Sequence, residues 1–280
     1  MNNHRQDRKK SNTYNRQTTE FKQFKEQNAN IDSSENDCLV YGRNPVKELL
    51  KSDRTVDKLY IVKGVRDGSV SFLVELAIEK RIPIVEVEKQ KLDNLCAGAN
   101  HQSIAAICAA KEYSSIEDII EIARNRNQKP LVVILDGVED PHNLGAIIRT
   151  AECLGVHGII IPKHRSATLN SVVSKTSAGA LEYMAVAKVT NISMTIDRLK
   201  KEGFWVFGAE AGGQSCYEAD FDVPCALVLG SEGKGISRLV KENCDHIISI
   251  PMYGKINSFN VSAAAAIIIS EAAKVHNGLS

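Results

Sequence analysis

The sequence predicts an α/β protein in two parts: a C-terminal parallel sheet with helices on both faces, preceded by a small α/β domain. Three observations predict it. Beyond Lys129, short aliphatic runs at Leu131 to Leu135, Gly158 to Ile161, Trp205 to Gly208, Ala226 to Leu229 and Ile247 to Ile250 lack polar alternation, as parallel strands covered on both faces do. Helical stretches separate them, notably 143–154, 192–201 and 261–275, so strands and helices alternate as in a doubly wound sheet. A length of 280 residues with 43% hydrophobic side chains is enough for about two packed domains.

The elements follow in order. Residues 1–37 are rich in Asn, Gln, Ser, Thr and Lys and poor in apolar side chains, which predicts a disordered polar tail. Residues 38–111 read as a compact α/β unit. Asn44 and Pro45 open its first helix, because Asn caps and Pro suits a first turn, and Val46, Leu49 and Leu50 form the apolar face. A strand at Leu59 to Val62, a helix around Val70 to Glu79, a strand at Ile82 to Val87, a short helix near Leu92 to Leu95 and a strand at Ile104 to Ala109 complete the unit. Residues 112–128 hold a connecting helix. It starts as a capping box at Ser115 to Asp118 and carries Ile116, Ile119, Ile120 and Ala123 on one face. Residues 129–280 make the larger domain, whose ligands belong at the carboxyl ends of the strands, in the loops after Leu135, Leu229 and Ile250.

Lys plus Arg number 35 against 34 Asp plus Glu, a formal net charge of +1. Such neutrality is not the mark of a generally basic nucleic-acid binder. It conceals sorting, however: up to Lys25 the basic residues Arg5, Arg8, Lys9, Lys10, Arg16, Lys22 and Lys25 face only Asp7 and Glu20, a local +5. That stretch is either a solubilising tail or a weak phosphate-seeking arm. The seven cysteines are scattered without C-x-x-C spacing, which predicts free thiols in a reducing compartment. The N-terminus lacks the apolar core of a signal peptide, and the longest apolar stretch, 263–269, is too short to cross a bilayer. A cytoplasmic protein without a membrane anchor is expected.

Each of the three loops concentrates polar groups. The first runs from Asp136 through Asp140-Pro141-His142-Asn143 into a helix with Leu144, Ile147, Ile148 and Ala151 on its buried face. Asn143 stands where an N-cap is wanted, and Arg149 follows on the same helix. Capping alone explains the first, and a solvated charge explains the second. Their setting above a buried strand favours a ligand role for both. The second loop, Leu229-Gly-Ser-Glu-Gly-Lys-Gly235, brings backbone close to a ligand but has the spacing of neither a dinucleotide fingerprint nor a P-loop, and Glu232 would repel a phosphate. The third carries Asn257, Ser258, Asn260 and Ser262 at a helix start, where one cap would need only one of them. His142, Cys244, His246 and Trp205 read as packing or surface residues rather than ligands, and no metal site is expected.

Taken together, D-G-V-x-D-P-x-N-x-G-A-I-x-R-T-A, L-G-S-E-G-K-G-I and I-P-M-x-G-x-x-x-S-x-N-V-S closely resemble the SpoU (TrmH) branch of the SPOUT methyltransferases over about 150 residues. The stretch from Tyr41-Gly42-Arg43-Asn44-Pro45-Val46 to Asn100-His101-Gln102-Ser103-Ile104 is similar to that family's small RNA-binding domain. The full layout is similar to the group that methylates the 2′-hydroxyl of a guanosine in large-subunit ribosomal RNA. The resemblance implies a deep trefoil knot, S-adenosylmethionine as cofactor, and a homodimer whose active site uses both subunits. It implies catalytic roles for Asn143, Arg149, Glu232, Ser258 and Asn260, and cofactor contacts at Gly230, Ile250 and Phe259. Phe259 stands where the family usually has Leu, Asn257 where Ser is common, and Ser103 where Gly often follows His-Gln.

In-line methyl transfer needs alignment and removal of a hydroxyl proton, but no metal and no covalent nucleophile. Either Arg149 or an RNA phosphate takes that proton; a guanidinium gives one up only above about pH 12. Ribose methylation of transfer RNA, or a non-catalytic RNA-binding or ribosome-assembly role, are the alternative readings. Charges of +1, +1 and −1 for residues 1–37, 38–128 and 129–280 predict recognition through local patches and RNA shape, with a modest salt slope.

Overall fold

The computed structural model describes residues 39–278 apart from Arg66 and Glu232. The tail read from residues 1–37 lies outside the described residues, as does the candidate Glu232.

In the smaller domain the chain runs β1 (Leu39–Tyr41), α1 (Arg43–Lys51), β2 (Val56–Val62), α2 (Gly68–Glu79), β3 (Ile84–Val87), α3 (Lys89–Leu95) and β4 (Ile104–Cys108). The sheet order is β1-β4-β2-β3, with β4 antiparallel to both neighbours and β2 parallel to β3. Period-two alternation divides β4 between two cores. Ile104, Ala106 and Cys108 meet Val46, Leu49 and Leu50 of α1 and Val70 and Leu73 of α2, whereas Ala105 and Ile107 meet Leu92 of α3. The result is a three-layer unit.

The larger domain continues with α4 (Ile116–Asn125), β5 (Leu131–Asp136), α5 (Pro141–Cys153), β6 (Gly158–Pro162), α6 (Ser171–Thr176), a 3-10 turn at Ala180–Glu182, β7 (Val186–Val189), α7 (Ile192–Lys201), β8 (Trp205–Ser215), β9 (Cys225–Gly230), α8 (Arg238–Glu242), β10 (His246–Ser249) and α9 (Val261–His276). All pairs in the sheet β10-β8-β9-β5-β6-β7 are parallel. Leu131, Val133 and Leu135 of β5 face a core shared with α5 and α9. Val132 and Ile134 face the opposite core, with Ile196 and Leu199 of α7 and Ile119 of α4. The connecting helix α4 therefore belongs to the packed layer. Gly158 admits it, because a Cβ there would overlap the Ile119 side chain.

Two expected caps lie inside their helices. The N-cap of α1 is Gly42, at φ 95°, and that of α5 is Asp140, whose side chain accepts from the His142 N–H at 2.9 Å. Pro141 at the first helical position moves the start of α5 upstream, which leaves Asn143 one position short of a full turn inside and free of the capping duty expected of it. The elements β1, β7, α6 and α8 were not anticipated. Each spans three to six residues, too few for a period to declare itself, and each exists through its neighbours. Trp205 is about half exposed and stacks on the His246 ring at 5.5 Å. Cys96, Cys153, Cys216, Cys225 and Cys244 are free thiols. Among the described residues no helix is long and apolar enough to cross a membrane.

Polar contacts join the domains. Arg54 pairs with Glu182 at 2.9 Å, with both side chains nearly buried, and Lys111 Nζ donates to the Glu182 carbonyl at 2.9 Å. The Tyr183 hydroxyl donates to Glu48 at 2.7 Å, and that bond pushes the phenol up to about 12. Lys175 of α6 donates to Gln102 Oε1 at 3.3 Å, while the Arg43 N–H donates to the same oxygen at 2.9 Å. The first helix of the small domain and the 100–103 loop are thereby fixed against the larger sheet.

Candidate functional site

The strand order reverses between β5 and β9, so their following loops meet at the carboxyl edge of the sheet. Asp136 and Gly230 are paired at the strand ends, and Asp136 Oδ2 accepts from the Ser237 N–H at 2.8 Å. Loop 231–237 folds back on itself. Ser231 N donates to the Gly235 carbonyl at 3.1 Å and Gly235 N returns to the Ser231 carbonyl at 2.9 Å, with Gly235 at φ +65°. A Cβ on Gly230 would overlap the Gly235 and Ile236 backbone, so only glycine permits this turn against the strand end.

Two cavities adjoin there. One, of about 240 Å³, lies over the ends of β8, β9 and β10 and is lined by Glu210, Gly230, Ile250, Ser258 and Phe259 among others. The second, of about 420 Å³, is lined by Asp136, Glu139, Asp140, Asn143, Arg165 and Lys234. Ser231, Gly235 and Val261 line both and form the wall between them.

Asn260 lines neither cavity but lies in the chain between Phe259, which lines the first, and Val261, which lines both. Its Oδ1 accepts from Ser262 N at 2.9 Å, Ala263 N at 3.4 Å and Ser262 Oγ at 2.6 Å, which caps α9. Its Nδ2 donates to Asn143 Oδ1 at 3.0 Å. One residue of the polar cluster 257–262 thus supplies the cap, and it also ties the start of α9 to the first turn of α5.

The candidate residues separate into groups. Gly230, Ile250, Ser258 and Phe259 share the first cavity, Asn143 lines the second, and Asn260 bonds Asn143. Arg149 lines neither. It is exposed on α5, six residues beyond Asn143, which on an α-helix means about 9 Å along the axis and about 120° around it. Glu232 is outside the described residues. His142 is exposed and lies 3.4 Å from Thr176 Oγ1, and among the described residues no cluster of His, Cys, Asp or Glu could hold a metal ion.

Residues that the sequence reading passed over also reach the cavities: Glu210 in the first, Arg165 and Lys234 in the second. The signal for Glu210 was present, since Gly208-Ala-Glu-Ala-Gly-Gly213 is a glycine-bearing loop directly after a buried run. Glu210 belongs to β8, and between Gly208, paired with Ile247, and Gln214, paired with Ile248, residues 209–213 leave the β10 register and open over the cavity.

The model of the SpoU rRNA Methylase family matches residues 130–270, and that for RNA 2′-O ribose methyltransferase substrate binding matches residues 39–114. The chain belongs to the SpoU family of RNA methyltransferases. A Staphylococcus haemolyticus protein, described by family assignment as a TrmH family tRNA/rRNA methyltransferase, is 46% identical over 236 residues, which cover 84% of this chain and 94% of the relative. A Bacillus subtilis protein described in the same way is 44% identical over 239 residues, 85% of this chain and 96% of its own. Among solved structures, the SpoU methyltransferase AviRb of Streptomyces viridochromogenes, in complex with the cofactor AdoMet (S-adenosylmethionine), shares the fold with a TM-score of 0.71 at 23% identity, covering 85% and 89% of the two chains. A TrmH family RNA methyltransferase from Porphyromonas gingivalis gives 0.65 at 28% identity, covering 84% and 88%.

Proposed function

We propose that the protein transfers a methyl group from S-adenosylmethionine to a ribose 2′-hydroxyl of RNA, with a guanosine of large-subunit ribosomal RNA as the target. The observation that carries this reading is the pair of adjoining cavities, one for each reactant, with Asn143 in the lining of the second tied by a hydrogen bond to Asn260 between the lining residues Phe259 and Val261. The first cavity combines apolar walls with strand-end backbone and suits a nucleoside; Gly230, Ile250, Ser258 and Phe259 would hold the cofactor there. When bound, S-adenosylmethionine supplies an electrophilic sulfonium methyl.

The second cavity then receives the nucleotide. Attack of the 2′-oxygen on that methyl would be balanced by cleavage of the carbon–sulfur bond and release of a neutral thioether. The chain's contribution is alignment across the Ser231–Gly235 wall, worth several powers of ten in rate when the reacting atoms are held in register. Asn143, Asn260 and Ser258 keep that register, and Glu232 is assigned to the same task. Arg149 orients the hydroxyl and its neighbouring phosphate, and an RNA phosphate oxygen takes the proton.

The position of Arg149 fits a homodimer in which it serves the site of a second copy. Met252, Tyr253, Ile256 and Phe259, next to the cofactor cavity, all expose apolar surface, Tyr253 almost entirely. The SpoU family match over residues 130–270 supports the trefoil knot. A ribosomal target is supported by the description of the family match at residues 130–270, which names rRNA, and a ribose hydroxyl as acceptor by the substrate-binding match at residues 39–114.

Purified protein incubated with labelled S-adenosylmethionine should methylate unmodified large-subunit ribosomal RNA. Arg149→Ala should abolish the transfer while dimerisation, measured by light scattering, is retained. Full activity in that variant would overturn the assignment. Labelling of transfer RNA instead of ribosomal RNA would favour the second substrate, which the two relatives' descriptions also carry.

A further inference from the structure

Glu210 is the only charged side chain lining the cofactor cavity among the described residues. It lies one residue past Ala209, the last position of β8 paired with β9, where the 209–213 excursion begins. Its carboxylate rests over Gly235, near enough that a Cβ on that glycine would stand 2.7 Å from Oε2. Oε2 accepts a long bond from the Ile236 N–H at 3.3 Å, and Oε1 is 3.5 Å from Lys241 Nζ. A carboxylate offers about four acceptor directions, and these two weak contacts leave strong acceptor capacity facing the cavity.

Resting on the reading of this cavity as a nucleoside-cofactor site, we propose that Glu210 binds the ribose diol of the cofactor, accepting from its 2′- and 3′-hydroxyls. The physical logic is that of other strand-end nucleoside sites, where an acidic side chain beyond a parallel strand takes the ribose hydroxyls that backbone alone would leave unpaired. The register jump in β8 has a function in this account: it releases residues 209–213 from pairing with β10 where the Glu210 carboxylate lies against Gly235. The competing roles are pinning of loop 231–237 through Ile236, and charge pairing with the cofactor's ammonium or sulfonium.

Calorimetric titration of the full chain separates these without turnover. S-adenosylhomocysteine and its 2′-deoxy and 3′-deoxy analogues are titrated into the wild type, Glu210→Ala and Glu210→Gln. In the wild type each missing hydroxyl should weaken binding about tenfold. In Glu210→Ala the parent ligand should bind at least about tenfold more weakly, and the analogues should bind like the parent. Glu210→Gln, which can still accept from Ile236, should keep the fold, checked by thermal unfolding, and retain only part of the preference. Equal losses for parent and deoxy ligands in the variants would mean loop pinning or pairing with the ammonium that all of them carry, and a larger loss for S-adenosylmethionine, titrated alongside, than for S-adenosylhomocysteine would mean pairing with the sulfonium; either overturns the proposal. A wild type that binds parent and analogues alike would overturn it with no variant needed. A wild type that binds neither S-adenosylmethionine nor S-adenosylhomocysteine would overturn the cofactor reading itself.

Discussion

The bond between Asn143 and Asn260 can be weighed by a double-mutant cycle. Asn260 has two tasks, the α9 cap and the 3.0 Å link to α5. Losing the cap costs about 1 kcal/mol, and losing a neutral interhelical hydrogen bond costs about 1 kcal/mol more. Asn260→Ala should therefore destabilise the fold by about 2 kcal/mol. For a chain of this size each kcal/mol moves the unfolding temperature by about 2–4 °C, so the fall should be about 4–8 °C. Asn260→Ser retains a capping oxygen but is too short to reach Asn143, and should lose only about half as much. In urea unfolding, Asn143→Ala, Asn260→Ala and the double variant should show a coupling of about 1 kcal/mol. Coupling below about 0.3 kcal/mol is what independent sites give, and it would refute the claim that this pair joins the two helices.

Two further predictions concern stability. Arg54→Ala strands the nearly buried Glu182 carboxylate, whose Oε2 already has no hydrogen-bond partner, and should cost about 3–5 kcal/mol in urea unfolding. Adding Glu182→Gln should restore part of the loss; strictly additive effects would show that the pair does not clasp the domains. His157 accepts from the Leu131 N–H at 3.0 Å, and burial, assisted by the charge of Arg126, pulls its pKa down to about 4. The unfolded chain binds this proton near pH 6.5 and the folded chain only near 4. Stability is thus complete above pH 6.5 and should decline as pH falls through that window, by about 3 kcal/mol in all. His276, lowered by burial in the same way, adds to the slope, so His157→Gln should flatten the fall in urea midpoint between pH 7 and 5 without removing it; an unchanged slope would count against the assignment.

Much of the fold is legible in the chain because its strands are buried on both faces. An aliphatic run such as Leu131 to Leu135 has no other stable environment, and alternate residues of β5 do divide between two cores. The capping box of α4 is equally local, Ser115 and Asp118 satisfying each other's backbone as their spacing predicts. Helix starts were less legible where two caps compete. Asn143 and Asp140 both offer an oxygen, and Pro141 settles the choice for Asp140. Short edge elements such as β1 and β7 hold few residues and gain their hydrogen bonds from β4 and β6, which no local pattern reveals.

The class of protein is legible in the chain through the resemblance that the three strand-following loops carry, and nearly every candidate residue lies in or next to those loops. Tertiary structure alone decided how they combine. Sheet order brings Asp136, Gly230 and the 250–260 loop to one edge although they lie far apart along the chain. It joins Asn143 to Asn260 across 117 positions and separates Arg149 from both by the pitch and rotation of one helix. The register jump that presents Glu210 depends on which residue of β10 faces which residue of β8. The division has one physical cause. Burial and capping act over a few residues and leave a periodic trace, whereas a binding site is made by pairing between distant segments, whose geometry exists only once the sheet has closed on its order.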